Sequence, residues 1–336
     1  MFNCAGGGMP FQILSLSGGG YLGLYTIAVL AKFEERTGRQ AADFIDLFAG
    51  TSIGGILALG LASRVPAADI RDAFLENGAD IFGSSPKATG LRKWAGMAGS
   101  LPSPKHDAKA LKHTIECIVG DTTLVKDLHR PAVIPAVNLT KGGPKVFKTG
   151  HHANFKNDWR LRIVDVALAT SAAPTYLPVH RIGNELFADG GLFANSPDAV
   201  AVHEAENFLD VAHEDIRLLS IGTTTQSFAF SGGTSTAMGA WAWMKNDRLS
   251  NAIIGSQQAL TDEMMRHRFG DRYLRIDRSQ APGQDADLAL DCASPDAKAT
   301  LLAMADVSFA EYSNNPALQA MLAHDAADHP FVNASN

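Results

Sequence analysis

A mainly parallel α/β sheet flanked by helices is the fold the sequence predicts, and three observations predict it. Short apolar stretches alternate with segments of helical spacing. Glycine-rich turns join them, at Ser17-Gly18-Gly19-Gly20 and at Gly50-Thr51-Ser52-Ile53-Gly54. The order before Gly60 is strand, loop, helix, strand, turn, helix, which opens a parallel sheet.

Each element has its own warrant. Residues 11–17 alternate apolar and polar side chains and then turn apolar, as a strand does. Residues 21–36 carry Leu24, Ile27, Ala28, Ala31 and Phe33 at helical spacing, and Gly38 marks the stop. A second apolar strand covers 44–49, and a helix covers 55–63. Gly, Ser, Pro and Lys crowd residues 83–105, which reads as a lid loop with a short helix at 91–97. A helix is expected at 108–119, strands at 131–139 and 145–149, and a helix at 162–170. Strands at 185–188 and 216–221 complete the sheet signals, apart from 272–276. Residues 238–267 and 296–323 read as helical, with a loop at 280–286. The organisation is therefore an N-terminal tail over 1–10, a catalytic domain over 11–224, and a mainly helical cap over 225–336 packed on the same domain.

Composition narrows the function. The 336 residues are 46% hydrophobic and 19% charged, with a formal net charge of -6. That balance argues against a surface for a nucleic-acid polymer, which needs a basic patch. Cys4, Cys117 and Cys292 are isolated and form no CxxC pair, so neither a disulfide framework nor a zinc knuckle is expected. Reduced thiols fit a cytoplasmic protein. The start, MFNCAGGGMPFQ, lacks the basic and apolar regions of a secretory signal. Nowhere do the roughly 18 apolar residues of a membrane span run together.

Two glycine turns carry the chemistry. Gly50-Thr51-Ser52-Ile53-Gly54 has the G-x-S-x-G form of a nucleophile elbow. The sharp turn exposes a serine hydroxyl, the glycines two positions away give it room, and the following helix N-terminus faces a developing oxyanion. Gly and Ser are common, so the apolar strand before and apolar helix after are what give the match its weight. Gly18 to Gly23 admits three readings: an oxyanion cradle of backbone N–H groups, a G-x-G-x-x-G dinucleotide fingerprint, or a plain turn. A dinucleotide site wants an acid near the end of the second strand. Asp43 and Asp46 instead flank its start and middle, and its end delivers Ser52. An anion cradle beside a serine nucleophile suits acyl transfer.

The serine needs a base. His203, His213, His267, His324 and His329 follow in the chain, but none lies in a glycine loop after a clear strand. Asp189, in Leu186-Phe-Ala-Asp189-Gly190-Gly191, sits at a strand end with open surroundings. Taken alone, Asp-Gly reads as a β-turn.

Together these motifs resemble the patatin-like phospholipases. The family pattern is a glycine-rich oxyanion loop (here Gly18 to Gly23), a G-x-S-x-G serine (Gly50 to Gly54), and an aspartate in D-G-G (Asp189 to Gly191). Ser171-Ala-Ala-Pro174 and Asn195-Ser-Pro197 are similar to the segments on either side of that aspartate, and the similarity runs from about Phe11 to Thr224. The resemblance implies a three-layer patatin-like fold and a Ser52–Asp189 dyad without histidine. It also implies oxyanion donors at Gly18, Gly19 and Gly20, structural roles for Gly23, Gly50, Gly54, Gly190 and Gly191, and no catalytic cofactor or metal. The family's usual Arg or Lys before the last loop glycine is replaced by Leu22.

The layout further resembles the patatin-like effectors of bacterial cyclic-oligonucleotide anti-phage systems. That implies a cyclic dinucleotide activator made by a partner nucleotidyltransferase, and attack on phospholipid at the inner membrane surface by transient contact. Lys87, Arg92, Lys93 and Lys105 could meet phosphates or simply form a solvated face, and Trp94, Trp241 and Trp243 suit lipid contact, base stacking or packing. A helical cap serves either as a homo-oligomer surface or as a shield over the site, and both stay open. Two rivals stand beside this reading: a constitutive Ser-His-Asp esterase, and a non-hydrolytic nucleotide- or lipid-sensing module.

Overall fold

Period-two alternation buries both faces of the first strand. A computed structural model describes residues 9–84, 106–224, 229, 232–234, 236–239, 242–243, 248–281 and 288–332. Strand β1 (Phe11–Leu16) sends Phe11 and Ile13 into one apolar cluster and Leu14 and Leu16 into another. A strand buried on both sides must be covered on both sides, which fixes a three-layer arrangement.

The described residues form an eight-stranded sheet. Beside β1 stand β2 (Leu47–Gly50), β3 (Ala132–Asn138), β4 (Gly143–Lys148), β5 (His180–Ile182), β6 (Glu185–Asp189), β7 (Ile216–Ile221) and β8 (Tyr273–Ile276). Their order is β5-β6-β3-β2-β1-β7-β8, with β4 also on β3. The pairs β3–β2, β2–β1, β1–β7 and β7–β8 are parallel, whereas β4, β6 and β5 are antiparallel to their neighbours. Leu16 pairs with Gly50 on one side and Ile221 on the other, and Ile221 pairs with Ile276. Four strand ends therefore lie in one row, and the loops that leave them share one edge of the sheet, where sites gather in such folds.

The helices in chain order are α1 (Gly23–Thr37), α2 (Ala41–Phe44), α3 (Ile53–Ala62), α4 (Ala67–Phe82), α5 (Ala108–Val119), α6 (Ile163–Thr170), α7 (Gly191–Ala194), α8 (Asp198–Phe208), α9 (Arg248–Phe269), α10 (Pro295–Tyr312) and α11 (Pro316–Leu322). Apolar side chains of α1, α3, α5 and α6 cover the Leu14 face of the sheet. Ala201, Val202 and Ala205 of α8, with Met265 and Phe269 of α9, cover the Phe11 face.

Two expectations change. The segment expected as a strand over 44–49 begins as α2 and becomes β2 only at Leu47. Asp43 accepts the backbone N–H of Gln40 at 2.9 Å and closes that helical turn. The helix expected over 296–323 is two, because the break before Pro316 is an N-cap. The Asn315 side chain accepts the N–H groups of Ala317 and Leu318. The mainly helical C-terminal third packs against the rest of the chain in several places. Strand β8 joins the sheet edge, α9 lies on the Phe11 face, and α10 lies outside α1, where Tyr25 Oη and Ser308 Oγ are 2.8 Å apart. The chain after α11 returns to the sheet. Asp46 accepts the His324 imidazole at 2.8 Å and the Ala327 N–H at 2.8 Å.

Residues 85–105 and 282–287, with Cys4 and Trp241, lie outside the described residues. The expected lid, its helix at 91–97, Trp94 and the cations Lys87, Arg92, Lys93 and Lys105 are among them. Cys117 and Cys292 are free, the first exposed and the second buried. Among the described residues, no helix is long and apolar enough to cross a membrane.

Candidate active site

The turn after β2 has no space for side chains at its glycines. A Cβ on Gly50 would stand 2.0 Å from the Gly54 carbonyl oxygen, and one on Gly54 would stand 2.3 Å from that of Leu16. Glycine at both places lets the chain reverse within hydrogen-bonding distance of β1 and enter α3. Ser52, at the apex, adopts φ 56° and ψ -126°. A side-chain-bearing residue pays strain in that region, so the surroundings must hold it. The hold is Thr170. Its Oγ1 accepts the Ser52 N–H at 3.0 Å and donates to the Pro135 carbonyl at 2.6 Å.

The sheet explains how an aspartate reaches this serine. Strand β4 pairs with β3 over its length, so β2 and β6 share the other edge of β3. Parallel β2 pairs at Ala132 and Val133, and antiparallel β6 pairs at Ala136 to Asn138. The two strands thus point their carboxyl ends at each other. Ala49 is level with Val133, so three more residues of β2 would set Ser52 opposite Ala136. Asp189 occupies that place. The elbow turns Ser52 out of the sheet, and the end of β6 meets it there.

Ser52 Oγ donates to Asp189 Oδ2 at 2.7 Å, and Gly191 N–H donates to Asp189 Oδ1 at 2.7 Å. Asp189 is 5% exposed. Burial pushes its carboxyl up to about 6 from the ordinary 3.8, and the bonds from Ser52 and Gly191 offset only part of that rise. Gly190 lets β6 end close to β3, since a Cβ there would stand 2.3 Å from the Pro135 oxygen.

The glycine loop lies beside the dyad in a narrower form than expected. Gly18 does not offer its N–H to the cavity, because that group donates to the Asn195 carbonyl at 2.9 Å. The Gly18 carbonyl in turn accepts from Asn195 Nδ2 at 3.1 Å and Thr223 Oγ1 at 3.0 Å. Among the described residues, the N–H groups of Gly19, Gly20 and Ile53 have no hydrogen-bond partner. Ile53 directly follows the serine and opens α3, so its N–H adds the helix dipole to the set. Gly23 brings α1 against α3, where a Cβ would stand 2.4 Å from Ile53 Cγ1.

Ser52, Asp189 and Gly18 to Gly20 line one cavity of about 370 Å³. Its walls are mostly apolar, with Ile56, Phe82, Leu111, Leu177 and Ile253 among them. Leu22 is one of these, 4% exposed, so the apolar residue in place of the usual cation forms part of the wall. Trp243 lines the same space. An extended apolar chain fits such a lining.

None of the five late histidines lines this cavity. His203 faces Asn207, His213 faces Glu206, and His324 faces Asp46. The sequence reading missed other residues. His106, whose Nε2 is 4.0 Å from Asp291 Oδ2, lines the cavity with that aspartate. Thr170 and the α9 wall were missed too. Thr170 stands directly before Ser171-Ala-Ala-Pro174, the one signal that could have found it.

The Patatin profile, described as patatin-like phospholipase, matches residues 14–202. The chain is 39% identical to a cGAMP-activated phospholipase of Pseudomonas aeruginosa, covering 98% of this chain and 97% of that protein. A cGAMP-activated phospholipase of Escherichia coli is 35% identical, over 89% of this chain and 90% of its own. One of Vibrio cholerae is 34% identical, over 91% and 93%.

Proposed function

The chain belongs to the patatin-like phospholipase family, and we propose that it releases fatty acids from membrane phospholipids through a Ser52–Asp189 dyad. The observation that carries this reading is the 2.7 Å bond from Ser52 Oγ to a buried aspartate inside an apolar cavity.

The chemistry follows from the positions. Ser52 Oγ attacks the ester carbonyl carbon while its proton passes to Asp189 Oδ2. A carboxylate lifted to about 6 holds that proton better than an ordinary one, yet is mostly ionised at neutral pH. Negative charge gathers on the carbonyl oxygen, and the N–H groups of Gly19, Gly20 and Ile53 receive it. The tetrahedral intermediate collapses, and Asp189 gives the proton to the departing alcohol. Water then attacks the acyl-serine, again losing a proton to Asp189. Collapse returns that proton to Ser52 and frees the fatty acid. No step calls for a cofactor.

The relatives' names support the regulation. A cyclic dinucleotide, with cGAMP the first candidate, switches on this chain, which then degrades the inner face of the cell membrane in anti-phage defence. A partner nucleotidyltransferase supplies the nucleotide. The decisive experiment follows fatty-acid release from phospholipid vesicles by wild type, Ser52→Ala and Asp189→Asn, with and without a panel of cyclic dinucleotides. Release by wild type only with one nucleotide, and by neither folded variant, is the expected result. Release without nucleotide would remove the regulation and keep the hydrolase. Activity in Asp189→Asn would remove the dyad.

A further inference from the structure

Arg275 is a buried cation that the dyad does not use. It lies on β8, some 250 residues from the glycine loop in sequence, with its side chain 8% exposed. Its Nη1 stands 3.1 Å from Ser17 Oγ, 3.1 Å from Ser196 Oγ and 2.8 Å from Ser220 Oγ. Its Nη2 donates to Asp277 Oδ2 at 2.7 Å. Asp277 Oδ1 then accepts the Thr224 N–H at 3.0 Å, and Ser220 Oγ donates to Asp198.

These contacts surround one residue. Gly18 is gripped by Asn195 through two bonds and by Thr223 through one. Ser17 is the residue before Gly18, Ser196 the residue after Asn195, and Thr224 the residue after Thr223. Every group that holds Gly18 is therefore one residue from a group held by Arg275 or by its partner Asp277. An oxyanion donor works only when it is already aimed, because reorganising it during the reaction would cost what its charge stabilises. A glycine loop has no side chains to hold itself, and a planar guanidinium reaches several acceptors at fixed angles where an ammonium cannot.

We propose that Arg275 is a positioning residue for this hydrolysis. It fixes the Gly18 anchor so that the N–H groups of Gly19 and Gly20 stay directed at the reacting carbonyl. The inference rests on the proposed role of those N–H groups. It predicts that damage to the clamp slows the chemical step and leaves substrate affinity alone.

The test uses the full chain on phospholipid vesicles under conditions where wild type is active. Variants are Arg275→Lys and the double change Ser17→Ala with Ser196→Ala, which keeps the cation and removes two of its partners. Melting temperature and the amount of folded protein are measured beside the kinetics. The expected result is a kcat lower by about a hundredfold in Arg275→Lys, and by less in the double variant. KM should stay within twofold, and the pH inflection set by Asp189 should not move. Wild-type kcat per folded molecule in both variants would overturn the proposal, as would a loss that appears in KM or only tracks lost folding. If Arg275→Lys does not fold, the double variant decides alone. An inactive wild type, or an active Ser52→Ala, would count against the hydrolase reading and not against the clamp.

Discussion

Carboxylates on two sides of the glycine loop live under opposite conditions. At the front, Asp189 has a serine hydroxyl and one backbone N–H as its hydrogen-bond partners. At the back, Asp277 bonds directly to the Arg275 guanidinium, and Asp198 reaches it through Ser220 while also accepting from Tyr273. The front carboxyl is lifted to about 6 by burial. At the back, one guanidinium serves two carboxylates, Asp277 directly and Asp198 through Ser220. The contrast separates two uses of an acid. One is left with few partners so that it can take and return a proton near neutral pH, and the other holds a guanidinium and hydroxyls in place.

That contrast can be broken at four points. The largest effect belongs to the front pair. Ser52→Ala and Asp189→Asn should each lower fatty-acid release from vesicles by about 10⁴-fold, in protein that melts as a folded chain. Next comes Asp198→Asn at the back. Asp198 is fully buried and accepts from Ser220 and Tyr273, so this change should cost about 3 kcal/mol in denaturant unfolding and lower kcat less than Arg275→Lys does. An unchanged kcat would mean that Asp198 supports the fold and not the Arg275 clamp.

The third point concerns stability at the front. The folded carboxyl titrates at about 6 and the unfolded one near 3.8, so the folded state holds the proton more tightly. Stability contributed by this group is then present at low pH and is lost as pH rises from about 4 to about 6, by about 3 kcal/mol in all. Asp189→Asn removes that loss, and unfolding at pH 8 should show the inactive variant more stable by about 2 kcal/mol. A variant less stable than wild type at pH 8 would mean that the carboxylate is better compensated than its partners suggest. The smallest effect is the rate profile: kcat/KM should rise about tenfold per pH unit below 6 and level off above it.

The front was far more legible in the sequence than the back, and the reason is physical. A nucleophile elbow is made by neighbours in sequence, so Gly50, Ser52 and Gly54 announce it locally, as Asp189-Gly190-Gly191 does for the strand end. Strands with alternating or continuous apolar runs were equally readable, and 108–119 and 216–221 match their elements to the residue. What brings Ser52 to Asp189 is the sharing of one edge of β3 by two strands, and no local pattern encodes that. Helix α4 was missed although its buried residues Ile70, Phe74, Gly78 and Ile81 recur at helical spacing, with Asp69, Asp72 and Glu76 on the exposed side. Arg275 escaped because an arginine in a short strand reads as an exposed edge residue, and only the fold shows three hydroxyls converging on it. The expected Gly18 donor failed for the same reason, since its acceptor lies 177 residues away.

The position of that clamp along the chain has a consequence for biosynthesis. A ribosome delivers Ser52 early and Asp189 near the middle, but Arg275 and Asp277 only in the last fifth of the 336 residues. Leu290, whose carbonyl accepts the Tyr21 N–H at 2.9 Å, comes later still. A nascent chain lacking its last fifth therefore has Ser52 and Asp189 but no guanidinium behind the glycine loop. Interrupted synthesis therefore leaves fragments that hold the nucleophile without the braced loop.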